Sequence, residues 1–194
     1  MHVLLINGSP HEKGCTYTAL SLVAGELNAA GITTEILNVG TKPVGGCIGC
    51  GGCAKGNGCV FGGVVNEAIE KARTADAFVF GTPVHYASAS GNMTSFLDRL
   101  AYAGGKYLAY KPAAICCSAR RAGTTATLDQ LAKYPEFFHM PLVSGSYWPM
   151  VHGSNPEQVL QDEEGCAVMK ELGRNMAWLL QCIEAGKAAG VSHS

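Results

Sequence analysis

Charge is scarce in this 194-residue chain. Asp, Glu, Lys and Arg make up 15% of it, and 14 basic against 15 acidic residues leave a formal charge of -1. So even a balance supplies no electrostatic footprint for a polyanion, which sets aside nucleic acid and anionic membranes as partners. Long apolar runs are also missing. Stretches such as residues 3–6 fall far short of the ~20 residues a membrane span needs, and no basic segment precedes them as in a secretion signal. The expectation is a cytoplasmic protein with no membrane contact. Two common nucleotide signatures, G-x-G-x-x-G and Gly-Lys-Ser/Thr, are absent from the first strand-to-helix loop. The chain is rich instead in apolar residues (47%), glycine (25) and cysteine (9), and its length suits one domain, residues 1–194.

Four of the nine cysteines crowd into thirteen positions as Cys47, Cys50, Cys53 and Cys59. Without an export signal, that density favours metal over a disulfide framework. Cys15, Cys116, Cys117, Cys166 and Cys182 sit among apolar neighbours and read as small buried hydrophobes, with a local role only for Cys15.

Residues 2–7 form a β-rich run ending in Gly8-Ser9-Pro10. Residues 16–30 then carry Leu20, Val23, Ala24 and Leu27 at helical spacing until Gly31 stops them. The alternation continues with strands over 33–39, 76–82 and 112–118 and a short fifth within 141–148. Helices are expected over 64–73, over 91–103 with Met93, Phe96, Leu97 and Leu100 inward, over 125–133, and over 157–185. Nearly all-apolar strands such as 77–80 and 113–117 belong to a parallel sheet covered on both faces. The fold class is therefore three-layered α/β with a doubly wound, five-stranded parallel sheet. Only the tail, 186–194, rich in Gly, Ala and Ser, reads as loose.

Ligands of such sheets bind beyond the carboxyl ends of strands, which directs attention to three loops. After strand one, residues 8–18 place small residues and hydroxyls where helix N-terminal amides are unpaired, an anion site. It suits one terminal phosphate held by backbone amides and Ser9, Thr16 and Thr18, as in flavin mononucleotide (FMN) binding; an ordinary helix cap at Thr16 is the plainer alternative. After strand three, residues 82–91 offer small side chains and Tyr86, a place for a flat ring against an apolar wall, unless Tyr86 is a core or interface aromatic. After strand four, Arg120 and Arg121 with Gly123 could meet flavin carbonyls or phosphate, or be a solvated surface pair.

The sharpest signal is C-x2-C-x2-C-x5-C, Cys47 to Cys59, preceded by Gly45-Gly46. Its first three positions have the spacing of ferredoxin-type 4Fe-4S ligands, and its glycines let backbone wrap a cuboidal cluster. The spacing leaves three states open: an iron-sulfur cluster, a zinc ion bound by four thiolates, or unmetallated thiols. The loop follows strand two, so it emerges at the sheet end of the flavin loops, and electron exchange between the two centres becomes plausible.

Asn7-Gly8-Ser9-Pro10, Thr82-Pro83-Val84-His85-Tyr86 with Ser90-Gly91, and Phe96-Leu97-Asp98-Arg99 resemble the NADPH-dependent FMN reductase family of flavodoxin-like proteins, in particular its iron-sulfur flavoprotein branch. The resemblance covers roughly residues 1–150. It implies FMN, with Ser9, Thr16, Tyr17 and Thr18 around the phosphate, and Pro83, Val84, His85, Tyr86 and Gly91 around the ring and ribityl chain. Ser118, Arg120 and Gly123 would close the outer edge, and Cys47, Cys50, Cys53 and Cys59 would hold a 4Fe-4S cluster. His11 and Cys15 also border the phosphate, but stand where family members often carry Arg and Asn, so FMN affinity would be weaker and more pH-dependent.

The implied activity is an FMN-dependent oxidoreductase that takes hydride from NAD(P)H at flavin N5 and passes electrons to a small-molecule or protein acceptor. The rival reading is a non-enzymatic electron carrier, which would present the strongly acidic surface that a charge of -1 does not supply. Residues 137–152, dense in aromatics, methionine and proline, are hard to bury in one domain and point to a homodimer or homotetramer. His85, His139 and His152 receive no catalytic step.

Overall fold

The computed structural model describes residues 1–192. In chain order the elements are β1 (His2–Asn7), α1 (Cys15–Ala29), β2 (Thr33–Asn38), α2 (Val64–Thr74), β3 (Ala77–His85), β4 (Ser88–Ala89), α3 (Gly91–Gly104), β5 (Ala113–Ala119), α4 (Thr124–Phe137), β6 (Met150–His152), α5 (Pro156–Gln161) and α6 (Glu163–Ala188). Five strands pair in parallel in the order β2-β1-β3-β5-β6, and β4 folds back antiparallel on the end of β3.

Strand alternation divides the core. Leu4, Ile6, Phe78, Phe80 and Ile115 face α2, α3 and α4, where Ile69, Phe96, Leu100 and Leu131 meet them. Val3, Leu5, Val79 and Ala114 face α1 and α6, packing on Leu20, Val23, Leu172 and Met176. Successive strand residues point to opposite faces, so one apolar run supplies both layers. Each fully buried Leu, Ile or Phe contributes roughly 1.5–3 kcal/mol.

Several expectations need correction. The fifth parallel strand is not within 141–148 but at Met150–His152, paired with Cys117–Ala119; Leu142 makes only an isolated bridge to Ala113. The aromatic, strand-like stretch before it leaves the sheet, with Tyr147 and Trp148 52% and 57% exposed. The closing helix is broken at Asp162, whose carboxylate caps α6 by accepting from Gly165 N–H at 3.0 Å. Residues 186–188 belong to α6, so any loose tail starts later, and its last two positions lie outside the described residues. Cys116 and Cys117 are buried as expected, but Cys15 and Cys166 are only half-buried and Cys182 is exposed. β3 continues three residues past its expected end, into a hairpin.

Candidate functional site

Parallel pairing sends the loops after β1, β3 and β5 to one edge of the sheet. There the buried Asn7 organises the first of them. Its Nδ2 donates to Asn38 Oδ1 at 2.8 Å and to Glu12 O at 3.2 Å, and its Oδ1 accepts from Ser9 N–H at 3.1 Å. Ser9 Oγ accepts from His11 N–H at 3.1 Å.

No side chain caps α1, which follows Gly14. Its first-turn N–H groups therefore have no side-chain partner and lie at the positive end of the helix dipole, an arrangement suited to an anion. The plainer alternative, a cap at Thr16, does not form: Thr16 lies inside the helix, and its Oγ1 shares a 2.8 Å hydrogen bond with Ser118 Oγ. The Thr18 hydroxyl donates back to Gly14 O at 3.2 Å, so its oxygen remains free to accept. Tyr17 is half-buried and His11 exposed. The Cys15 thiol donates to Gly153 O at 3.6 Å, and burial pushes its pKa up, so it is neutral at ordinary pH.

Pro83, Val84 and His85 end β3, and the turn to β4 is made by Tyr86 and Ala87 at φ 52° and 59°. Non-glycine residues in that region cost roughly 1–2 kcal/mol each. Gln130 Oε1 steadies the hairpin, accepting from Ser88 Oγ at 2.8 Å and Ala89 N–H at 2.9 Å. Gly123, at φ 90°, begins α4 against the hairpin; a Cβ there would lie 2.7 Å from Ala87 Cα. No side chain caps α4 either. Ser90 Oγ caps α3 through Met93 N–H and donates to Gly8 O at 2.7 Å, locking the first and third loops together beside the exposed Gly91. Tyr86 is wholly exposed, which removes it from the core. Arg120 and Arg121 are exposed and make no ion pair among the described residues.

The cysteine loop leaves the carboxyl end of β2 as expected, then runs down the flank of α3. Asn92 Nδ2 donates to Gly40 O at 2.9 Å and Lys42 O at 3.1 Å, while its Oδ1 accepts from Val44 N–H at 3.1 Å. Two turns further on, Arg99 is only 7% exposed. Its Nη1 donates to Gly45 O at 3.3 Å, Nη2 to Gly62 O at 2.9 Å and Nε to Cys59 Sγ at 3.2 Å. Cys53 rides a short turn, Gly52–Lys55, whose flanks Gly51 and Gly56 both need left-handed backbone, at φ 68° and 80°.

Cys47, Cys50, Cys53 and Cys59 line one cavity of about 230 Å3, together with Phe61, Arg99 and Tyr102. Among the described residues, no three His, Cys, Asp or Glu side chains converge on a single ion position. The thiols border a volume instead. Arg99 lies about 12 Å along the helix axis from the start of α3. The cavity therefore sits beside the helix, displaced from the edge where the three loops meet, a refinement of the expectation that both share one end.

Residues 1–155 match the family profile described as NADPH-dependent FMN reductase. The chain belongs to this family. An iron-sulfur flavoprotein of Methanocaldococcus jannaschii is 26% identical over 193 residues, covering 95% of this chain and all of the relative. Another, from Archaeoglobus fulgidus, is 29% identical over 175 residues, covering 88% and 86%. Among solved structures, a flavodoxin from the domain Archaea superposes with a TM-score of 0.63 at 12% identity, over 93% of this chain and 99% of that one. The fold is flavodoxin-like, and family membership makes the protein an FMN-dependent oxidoreductase.

The sheet edge fits the cofactor of this FMN reductase family in kind. The uncapped α1 turn and nearby hydroxyls suit a phosphate, and a hairpin with an exposed aromatic stands beside them. Asn7, Asn66, Asn92 and Arg99 went unassigned on sequence grounds. The signal for two of them is a line along α3: Asn92, Ser95, Arg99 and Tyr102 recur at three- and four-residue spacing beside the apolar stripe, and they face the cysteine loop.

Proposed function

We propose that this FMN-dependent oxidoreductase accepts hydride from NAD(P)H and delivers electrons singly through a 4Fe-4S cluster held by Cys47, Cys50, Cys53 and Cys59. One observation carries the reading: four thiols, the first three at ferredoxin-like spacing and the fourth after five intervening residues, line a single cavity closed on one side by a buried guanidinium. A zinc site would gather its sulfurs around one point at Zn–S near ~2.3 Å, and no three potential ligands among the described residues converge in that way. The two archaeal relatives named iron-sulfur flavoproteins match 95% and 88% of this chain, which supports the reading.

FMN, when bound, accepts a two-electron hydride and releases single electrons. The protein's part is to hold and orient. The α1 first-turn N–H groups, with Ser9, His11, Cys15, Thr16, Tyr17 and Thr18, would surround the phosphate. Pro83, Val84, His85, Tyr86 and Gly91 would line the ring and ribityl chain, and Ser118, Arg120 and Gly123 the outer edge. One domain would contain both centres. The displacement of the cysteine cavity from this edge, with Tyr147 and Trp148 more than half exposed, supports a homodimer or homotetramer. Light scattering showing a monomer at micromolar concentration would remove that part.

The deciding experiment is anaerobic purification with iron, labile sulfide and flavin quantified on one sample, followed by NADPH and NADH oxidation with a quinone acceptor. Flavin with four irons and four sulfides per chain and steady turnover is expected. Flavin without iron would leave a two-electron reductase; cluster and flavin without turnover would leave an electron carrier.

A further inference from the structure

Arg99 is a charged residue buried in α3, yet it forms no ion pair with any carboxylate among the described residues. The carboxylate next to it in sequence is turned away: Asp98 Oδ1 accepts from Tyr134 Oη at 2.6 Å. Two of the guanidinium nitrogens are satisfied by loop carbonyls, and the third points at Cys59 Sγ. The Phe61 ring, itself 56% exposed, has its centroid 5.7 Å from the guanidinium carbon. A guanidinium stays charged throughout the accessible pH range, and a buried cation without a counter-ion is costly. Its placement is explained if the thiol-lined cavity holds a strongly anionic group.

We propose that Arg99 is a positioning residue that raises the reduction potential of the group in the cysteine cavity, by fixing a positive charge and an N–H donor at Cys59. This rests on the iron-sulfur reading above. Four thiolates make a cluster anionic, and adding one electron, with no bond made or broken, makes it more so. A fixed cation lowers the energy of the more negative state, and hydrogen bonds to the ligand sulfurs act in the same direction. The same fork anchors Gly45 and Gly62, so charge and loop geometry are set by one side chain.

The test is an anaerobic redox titration followed by EPR on the flavin- and cluster-loaded protein, comparing wild type with R99K, R99Q and F61A, each with iron and sulfide counted. R99Q is expected to show a more negative midpoint than wild type, R99K a midpoint close to wild type, and F61A a smaller negative shift because water reaches the guanidinium. Equal midpoints in wild type, R99Q and F61A would overturn the proposal, as would an R99K midpoint as low as that of R99Q. If R99Q fails to take up the cluster, F61A and R99K decide the matter alone. Wild-type protein lacking iron and sulfide would instead remove the underlying reading, a result distinct from loaded variants with an unchanged midpoint.

Discussion

Asn66 brackets Cys59. Its Oδ1 accepts from the cysteine N–H at 2.8 Å while its Nδ2 donates to the cysteine carbonyl at 3.0 Å, fixing the backbone of one thiol while Cys47 and Cys50 stay exposed. One corner of the cavity is thus tied to α2 while two others lie open to solvent. Asn66→Ala removes both bonds and leaves the thiol unchanged. Loss of an orienting partner of this kind typically weakens metal retention about 10- to 100-fold. Iron release to a chelator should accelerate accordingly, with unchanged far-ultraviolet circular dichroism, and an unaltered release rate would show that Cys59 needs no such bracket.

The Thr16–Ser118 hydrogen bond joins the first turn of α1 to the end of β5 across 102 positions. Thr16→Val leaves Ser118 buried without its partner, which costs about 1–3 kcal/mol, whereas Thr16→Val with Ser118→Ala removes both polar groups and costs less. FMN fluorescence titration should show the single variant binding about 10-fold more weakly. Urea unfolding should show the double variant no less stable than the single. Unchanged FMN affinity in both would move the phosphate elsewhere.

The fold was readable because burial on both faces leaves nearly all-apolar strands, and the loops at their carboxyl ends could be located from that alone. Asn7-Gly8-Ser9-Pro10 and the cysteine spacing signalled chemistry by residue type. The short strand Met150–His152 escaped because three residues carry too little pattern, and the aromatic run before it imitates a strand better. The Tyr86-Ala87 turn escaped because it lacks the Asn-Gly or Asp-Gly signature that such a turn normally requires. Arg99 stands in the Phe96-Leu97-Asp98-Arg99 stretch without a role that residue type alone could assign: only the long loop folded back along α3 buries it, and that contact is non-local.

The strain at Tyr86 can be separated from its use. Its side chain is wholly exposed, so replacing it removes no core contact, and Asn tolerates left-handed backbone better than Tyr. Tyr86→Asn should therefore raise stability by up to about 1 kcal/mol in chemical unfolding. FMN-dependent turnover should fall in the same variant if the ring packs beside the flavin. A stabilised variant with full turnover would make the strained turn a purely structural relic.

Cys116 and Cys117 give a pH dependence whose sign can be worked out. Burial pushes the Cys116 thiol from its ordinary 9.0 up to about 12 and raises Cys117 as well, the latter also disfavoured by its neighbour's charge. Below pH 9 both thiols are protonated in folded and unfolded chains, and their contribution to stability is constant. Above it the unfolded chain releases these protons while the folded one retains them. Fewer protons bound in the unfolded state means that stability falls as pH rises towards the folded values, by about 1.4 kcal/mol per pH unit for each thiol. Urea midpoints should drop between pH 9 and 10.5, and the Cys116→Ala, Cys117→Ala double variant should show a visibly shallower drop. Parallel slopes in the two proteins would mean that these thiols titrate alike in folded and unfolded chains, which is incompatible with a tightly packed β5.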